Sequence, residues 1–317
     1  FSDGQVRGIM GINIDITERK MAELALARSQ DELEERIEQR TADLKVKTRE
    51  LEEVNSALRV LLKRRDKDKL DFESKVYVQS PTSPQFLADA VELVEGLKAL
   101  PKSKIQSLMK LSDNLGQLNY DRYQQFSVPF TEDNAKPALY AFRGDTYVGL
   151  DADSLEADDV AFAQSNLGIL SGLYGILRPL DLMQPYRLEM GTKFANDRGE
   201  DLYDFWNDHL AKACNDAESD HKDKSVISLA SNEYIKSVRP KKLDGAFITC
   251  HFKDVKNGEP KTIGLFAKRA RGMMARFMIQ NRIETPDGLK DFDSDGYSFQ
   301  PAMSDDENLT FLRDQEG

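Results

Sequence analysis

The sequence predicts an α+β fold, a mixed sheet with packed helices, preceded by a long coiled-coil helix. Three observations carry that expectation. Residues 21–66 contain neither proline nor glycine and repeat apolar residues every seventh position. After Leu70, short β-branched or aromatic runs alternate with amphipathic stretches, each bounded by turn residues. The charge divides at the same place: residues 1–69 hold 15 basic and 15 acidic side chains, so the surplus behind the net charge of −11 lies downstream.

The chain opens with DGQVRGIMGINIDITERK, which has a Gly-rich turn, an apolar strand around Ile9–Ile16, and an Asp15-Ile16-Thr17 step into a helix with Thr17 as its cap. Over residues 1–20 this resembles the last strand and exit motif of a PAS sensor domain whose body is absent, so a PAS ligand would have nothing to hold it. In residues 21–69 a heptad places Ile37, Leu44, Leu51 and Leu58 at one core position and Leu26, Leu33, Val54 and Leu61 at the other. A helix of about 45 residues extends about 68 Å, longer than a globular core requires, so it is exposed or paired, and a homodimer through the coiled coil is the expected assembly. Arg40 and Lys47 fall at core positions and weaken the seam, which leaves a fraying monomeric helix as the alternative. No kinase histidine box or Gly-rich ATP lid follows.

Residues 70–317 read as one mixed domain. Strands are expected at Ala138–Phe142, Ser225–Leu229, Ala246–Phe252 and Thr262–Ala267. Helices are expected at Phe86–Leu100, Lys104–Leu115, Asp158–Gly172, Asp201–Ala217 and Lys268–Ile283. In GLKALPKSKIQSLMKLS, Pro101 stops one helix and Ser103 can cap the next. That arrangement fits a helix-hairpin-helix gripping a DNA phosphate with backbone amides, although the usual hairpin glycines are missing and a plain antiparallel helix pair fits equally well.

Composition narrows the function. A hydrophobic fraction of 40% suffices for a core. No run of about 18 apolar residues could span a membrane, and no signal peptide is written at the start, so a soluble cytoplasmic protein is expected. Cys214 and Cys250 are the only cysteines and have no paired spacing, which points away from disulfides and zinc. His209, His221 and His251 are scattered without a close carboxylate pairing, and there is no Walker loop, HExxH or GxSxG. No metal or cofactor is expected, and an enzyme is the less favoured reading. Were there one, Asp145, Glu189, Lys193 and Lys236 have the chemistry of a lyase, with lysine as nucleophile and a carboxylate as base.

Against this acidic background three basic elements stand out. KRARGMMARFMIQNR, residues 268–282, carries five cations and no acid. At helical period, Ala270, Met273, Met274, Phe277 and Met278 share one arc, and Lys268, Arg269, Arg271, Arg276 and Arg282 the other, which predicts a wholly basic outer face. SNEYIKSVRPKKL follows a strand and supplies Lys236, Arg239, Lys241 and Lys242, with Tyr234 as an aromatic platform. LGILSGLYGILRPLDLMQPYRLEMG permits close backbone approach at Gly172 and Gly175 and offers Arg178, Arg187 and Lys193. If the three converge on one cleft, double-stranded or distorted DNA is the partner expected, with the cleft outweighing the acidic remainder only within about a Debye length.

The runs GILSGLYGILRPLDLMQPYRLEMGTK, LASNEYIKSVRPKKL, FAKRARGMMARFMIQNRI and GDTYVGLDA resemble the YaaA family of bacterial peroxide-stress proteins, colinearly over almost all of residues 70–317. The resemblance implies a cytoplasmic protein that limits free intracellular iron under hydrogen peroxide and binds DNA through a positively charged cleft. By match to those runs, Arg178, Arg187, Lys236, Lys241, Lys242, Lys268, Arg269, Arg271 and Arg276 are its cleft candidates. Members of that family begin with an apolar strand leading into Ser-Pro-Ala-Lys and then a Leu-Asp-Phe-Glu-Ser segment. Here LDFES stands at Leu70–Ser74 but is preceded by RRDKDK. Loss of a central strand would leave unpaired backbone groups and cost several kcal/mol, on the order of the net stability of a domain.

Overall fold

The computed structural model describes residues 33, 36–48, 69–74, 76, 78, 80–256 and 258–314. Internal contacts divide the chain into residues 1–67 and 68–317. In the first unit, residues 36–48 form helix α1, and the seam candidates Leu33, before it, and Ile37 and Leu44, within it, are exposed. The PAS-like strand, its Thr17 cap and the heptad positions Leu26, Leu51, Val54, Leu58 and Leu61 lie outside the described residues.

The second unit is a mixed α+β body. Its main sheet runs β5 (Val226–Ser228), β6 (Phe247–Lys256), β9 (Asn308–Asp314), β8 (Tyr297–Phe299), with β7 (Glu259–Lys261) on the far end of β6. β6 is parallel to both β5 and β9, while β7 and β8 run antiparallel to their neighbours. A helix, α11 (Gly264–Gln280), covers one face, and Cys250, Phe252, Ala270, Met274, Phe292 and Phe311 interlock beneath it. Short strands complete the unit: β1 (Lys136–Pro137) pairs with β4 (Leu182–Met183), and β2 (Ile169–Ser171) forms a hairpin with β3 (Gly175–Leu177). Gly175 adopts φ 70, a conformation glycine takes without steric cost.

The remaining helices build a second core around that hairpin. α2 (Leu87–Lys98), α4 (Asp113–Gln125), α8 (Leu202–Trp206) and α9 (His209–Ala217) contribute Leu93, Tyr123, Trp206 and Leu210. The Trp206 indole donates to the Gly172 carbonyl at 3.0 Å, so this large side chain is buried without an orphaned N–H. α5 (Ala138–Ala141), α6 (Asp145–Leu150) and α7 (Ala157–Asn166) form a third cluster against α11.

Several expected elements are corrected. Ala138–Phe142 is not a strand, because Ala138–Ala141 makes one helical turn buried on every side, where an unbroken apolar run has no period to read. Thr262–Ala267 is likewise not a strand: α11 already begins at Gly264, and the β-branched Thr262 and Ile263 belong to its approach. The helix expected at Lys104–Leu115 is two, α3 (Lys102–Leu108) and α4, separated where Lys110 takes φ 52. The segment expected to be helical over Asp158–Gly172 stops at Asn166 and turns into β2. The Asp201–Ala217 helix breaks at Asn207, φ 41, into α8 and α9. Ser103 caps nothing, since α3 starts one residue earlier with Pro101 at its cap position. α3 packs on α4, with Lys102 held to Asp113 at 2.9 Å.

Candidate functional site

α11 and α6 cross at glycines. A Cβ on Gly272 would overlap the Thr146 carbonyl oxygen, and one on Gly149 would overlap that of Arg269, so each helix requires the other's missing side chain. This crossing overturns the expected basic outer face. Gly272, Ala275 and Ile279 lie in the middle of the cationic arc, and all three are buried. Their burial sends the arginines to opposite flanks. Arg271 faces one cavity, whereas Arg276 turns to a second and bonds the Leu150 and Asp151 carbonyls at 3.1 and 2.8 Å.

The first cavity measures about 790 Å³. It runs along the edge of β5 that, among the described residues, has no neighbouring strand, past Val226, Ile227 and Leu229. Its other walls come from α11, from α7 and β2, and from the end of α9. Phe142, Tyr147, Tyr186 and Tyr234 line it, Phe142 touching both Tyr147 and Tyr186, with Arg187, Lys268 and Arg271 on the same cavity. Gly172 sets Arg187 here, because a Cβ at that position would overlap the Leu188 carbonyl oxygen.

The eleven predicted cationic positions divide by location and by partner. Arg178, Arg187, Lys268 and Arg271 line the cavity, whereas Lys193, Lys236, Arg239, Lys241, Lys242, Arg269 and Arg276 do not. Arg178 is held by the buried Asp181 at 2.9 Å, and Arg187 lies 3.5 Å from Glu189. Arg239 and Lys242 converge on Asp208 at 2.8 and 3.4 Å. Lys236 sits over the Tyr203 ring, 4.3 Å from its centroid. Lys193, Lys241, Lys268, Arg269 and Arg271 form no ion pair among the described residues. Arg271 is the most exceptional of these. Its Nε, like that of Arg269, is buried without a hydrogen-bond partner, and burial also holds the Arg271 pKa below the ordinary arginine range.

Three phenols line the cavity, and two of them, Tyr147 and Tyr186, carry no signal in the charge pattern. Burial raises the pKa of Tyr147, Tyr186 and Tyr234, neighbouring phenols add to the rise at Tyr147 and Tyr234, and the Ser171 hydrogen bond only partly opposes it at Tyr186, so all three stay protonated at neutral pH. The Tyr186 hydroxyl lies 2.7 Å from Ser171 Oγ, and Phe142 stacks on Tyr147 with centroids 5.0 Å apart. Tyr234 was the one aromatic marked in the sequence. The other two sit inside segments already notable for glycine or arginine, and that proximity was the available signal.

Glu218, also unforeseen, lines the same cavity. Burial, with Asp244 nearby, pushes its carboxyl up to about 7, and its Oε2 has no hydrogen-bond partner. The proposed nucleophiles Lys193 and Lys236 do not reach the cavity, while Glu189 lines it and Asp145 begins α6. Cys250 is buried and its thiol is pushed up to about 12, and Cys214 to about 11, which makes both poor nucleophiles at neutral pH. Among the described residues no cluster of three or more His, Cys, Asp or Glu could hold a metal. No described helix is long and apolar enough to cross a membrane.

Comparison with known proteins adds to this geometry. Residues 63–303 match the family described as peroxide stress protein YaaA. A UPF0246 protein of Alteromonas mediterranea is 54% identical over 247 residues, spanning 78% of this chain and 95% of its own length. One from Saccharophagus degradans is 53% identical over 246 residues, 78% of this chain and 96% of that protein. Another, from Aliivibrio fischeri, is 49% identical over 247 residues, 78% and 95% respectively.

Proposed function

The chain belongs to the peroxide stress protein YaaA family, and from that membership we propose that it acts in the cytoplasm under oxidative stress, binding DNA through the basic end of its large cavity and limiting free iron. The observation that carries the DNA reading is the exposed Lys268 beside Arg271 on one cavity wall, neither answered by a carboxylate. Cations without an internal partner are the ones able to neutralise a phosphate and release its counterions. Arg187 supplies a third positive group on the same cavity. The iron-limiting role rests on the family resemblance alone, and no residue set is offered for it.

Fluorescence anisotropy of duplex and distorted DNA with the full chain tests the reading. Affinity is expected to fall steeply with salt, and Lys268→Glu with Arg271→Glu to weaken binding regardless of sequence. Salt-independent binding would overturn it. An enzyme acting on a small anionic ligand is the second reading, favoured by the cavity volume of about 790 Å³. It gains ground if a free nucleotide binds where DNA does not. A signalling adaptor through residues 1–69 is a third, tested by whether the chain self-associates through the heptad.

A further inference from the structure

A phosphate site needs only cations, yet this cavity also carries a cluster of aromatic side chains. Phe142 and Tyr147 stack at 5.0 Å, and Tyr186 meets Phe142 edge-on at 6.4 Å. The Tyr147 and Tyr234 hydroxyls have no hydrogen-bond partner among the described residues, and both side chains line the cavity. Tyr147, Tyr186 and Tyr234 are close enough to influence one another's ionisation. Arg271, whose Nε has no hydrogen-bond partner, lines the same cavity as these phenols.

An inorganic anion would use none of this aromatic surface. A planar heteroaromatic would use all of it: ring faces stack, protonated phenols both donate and accept, and a guanidinium fork suits two adjacent acceptors such as O6 and N7 of guanine. Such a ring reaches an enclosed pocket only when unstacked from its neighbours. Resting on the DNA reading above, we propose that the chamber formed by Phe142, Tyr147, Tyr186, Tyr234 and Arg271 receives one extrahelical nucleobase of the bound strand, while Lys268 and Arg187 hold its flanking phosphates. The phosphates then supply salt-dependent affinity, and the base supplies a preference for strands already distorted, where unstacking costs least.

The test compares two duplexes with identical phosphates, one with a single bulged guanosine and one with a bulged abasic residue. The full chain should bind the bulged guanosine about tenfold more tightly, in keeping with the worth of a stacked base. Tyr147→Phe with Tyr234→Phe, near-isosteric changes checked by circular dichroism, should reduce that ratio severalfold. Arg271→Met should remove most of it, whereas Lys268→Glu should weaken both duplexes in parallel. Equal, salt-dependent affinities for the two duplexes would overturn the base pocket and leave the phosphate site standing. No binding to either would overturn both.

Discussion

Lys268 and Arg271 on the cavity differ from Arg239 and Lys242 beside α9 in whether their charge already has an answer. Both sets come from basic runs that read alike in sequence. At α9, Asp208 lies 2.8 Å from Arg239 and 3.4 Å from Lys242, and every partner is more than a third exposed. Such pairs contribute little stability, about 0–1 kcal/mol, but a phosphate would have to compete with a carboxylate already in place. At the cavity no carboxylate pairs with Arg271, whose pKa burial depresses. A basic run therefore fixes total charge, whereas available charge depends on acids brought in from distant segments, here Asp208 for one cluster and none for the other.

The largest expected effect tests what holds Arg271 in place. Gly272→Ala drives a methyl into the Thr146 carbonyl, a backbone atom that cannot step aside. Urea denaturation should show a loss of about 2–4 kcal/mol, with DNA binding falling in parallel. A loss below about 0.5 kcal/mol would mean that the α6–α11 crossing does not set the cavity. Next in size, Lys268→Glu with Arg271→Glu should weaken DNA binding about a hundredfold and flatten the slope of log K against log salt by about one, the share of the phosphate that Lys268 contacts. The matched Arg239→Glu with Lys242→Glu should cost only about threefold, since those cations are already partnered. Equal losses in the two double variants would erase the distinction.

Glu218 sharpens the comparison from the acidic side, because it too is buried on the cavity with an unpartnered oxygen. Its folded-state value of about 7 lies above the ordinary 4.5, so between those pH values the folded protein holds a proton that the unfolded chain releases. Stability unaffected by this group below pH 4.5 is lost as pH rises towards 7. Glu218→Gln should therefore stabilise by about 2–3 kcal/mol at pH 8 and by almost nothing near pH 4.5. A gain that is constant across pH would show that ionisation is not the cause.

Much of this was legible in the sequence where one face of an element meets water. β5 and β6 lie within turn boundaries where expected, and β6 alternates between buried and half-buried residues. The α11 helix follows its apolar arc, and the basic segments were visible as charge. Legibility failed where an element is enclosed on several sides. α5 has no polar face to mark its period, and the cationic arc of α11 hid Gly272, Ala275 and Ile279, whose burial against α6 splits it. Helix breaks at Lys110 and Asn207 are set by left-handed backbone at residues without a glycine signal. The aromatic chamber was missed because Tyr147, Tyr186 and Tyr234 are far apart in sequence, and only tertiary packing brings their hydroxyls to one cavity.

The central claim, that unanswered cations on the cavity form the DNA contact, is tested most directly by anisotropy titration of a bulged duplex at two salt concentrations. The wild-type chain would be compared with the Lys268→Glu/Arg271→Glu and Arg239→Glu/Lys242→Glu variants. The account predicts steep salt dependence, flattened by the first pair and nearly unchanged by the second. Comparable flattening by both pairs, or by neither, would contradict it.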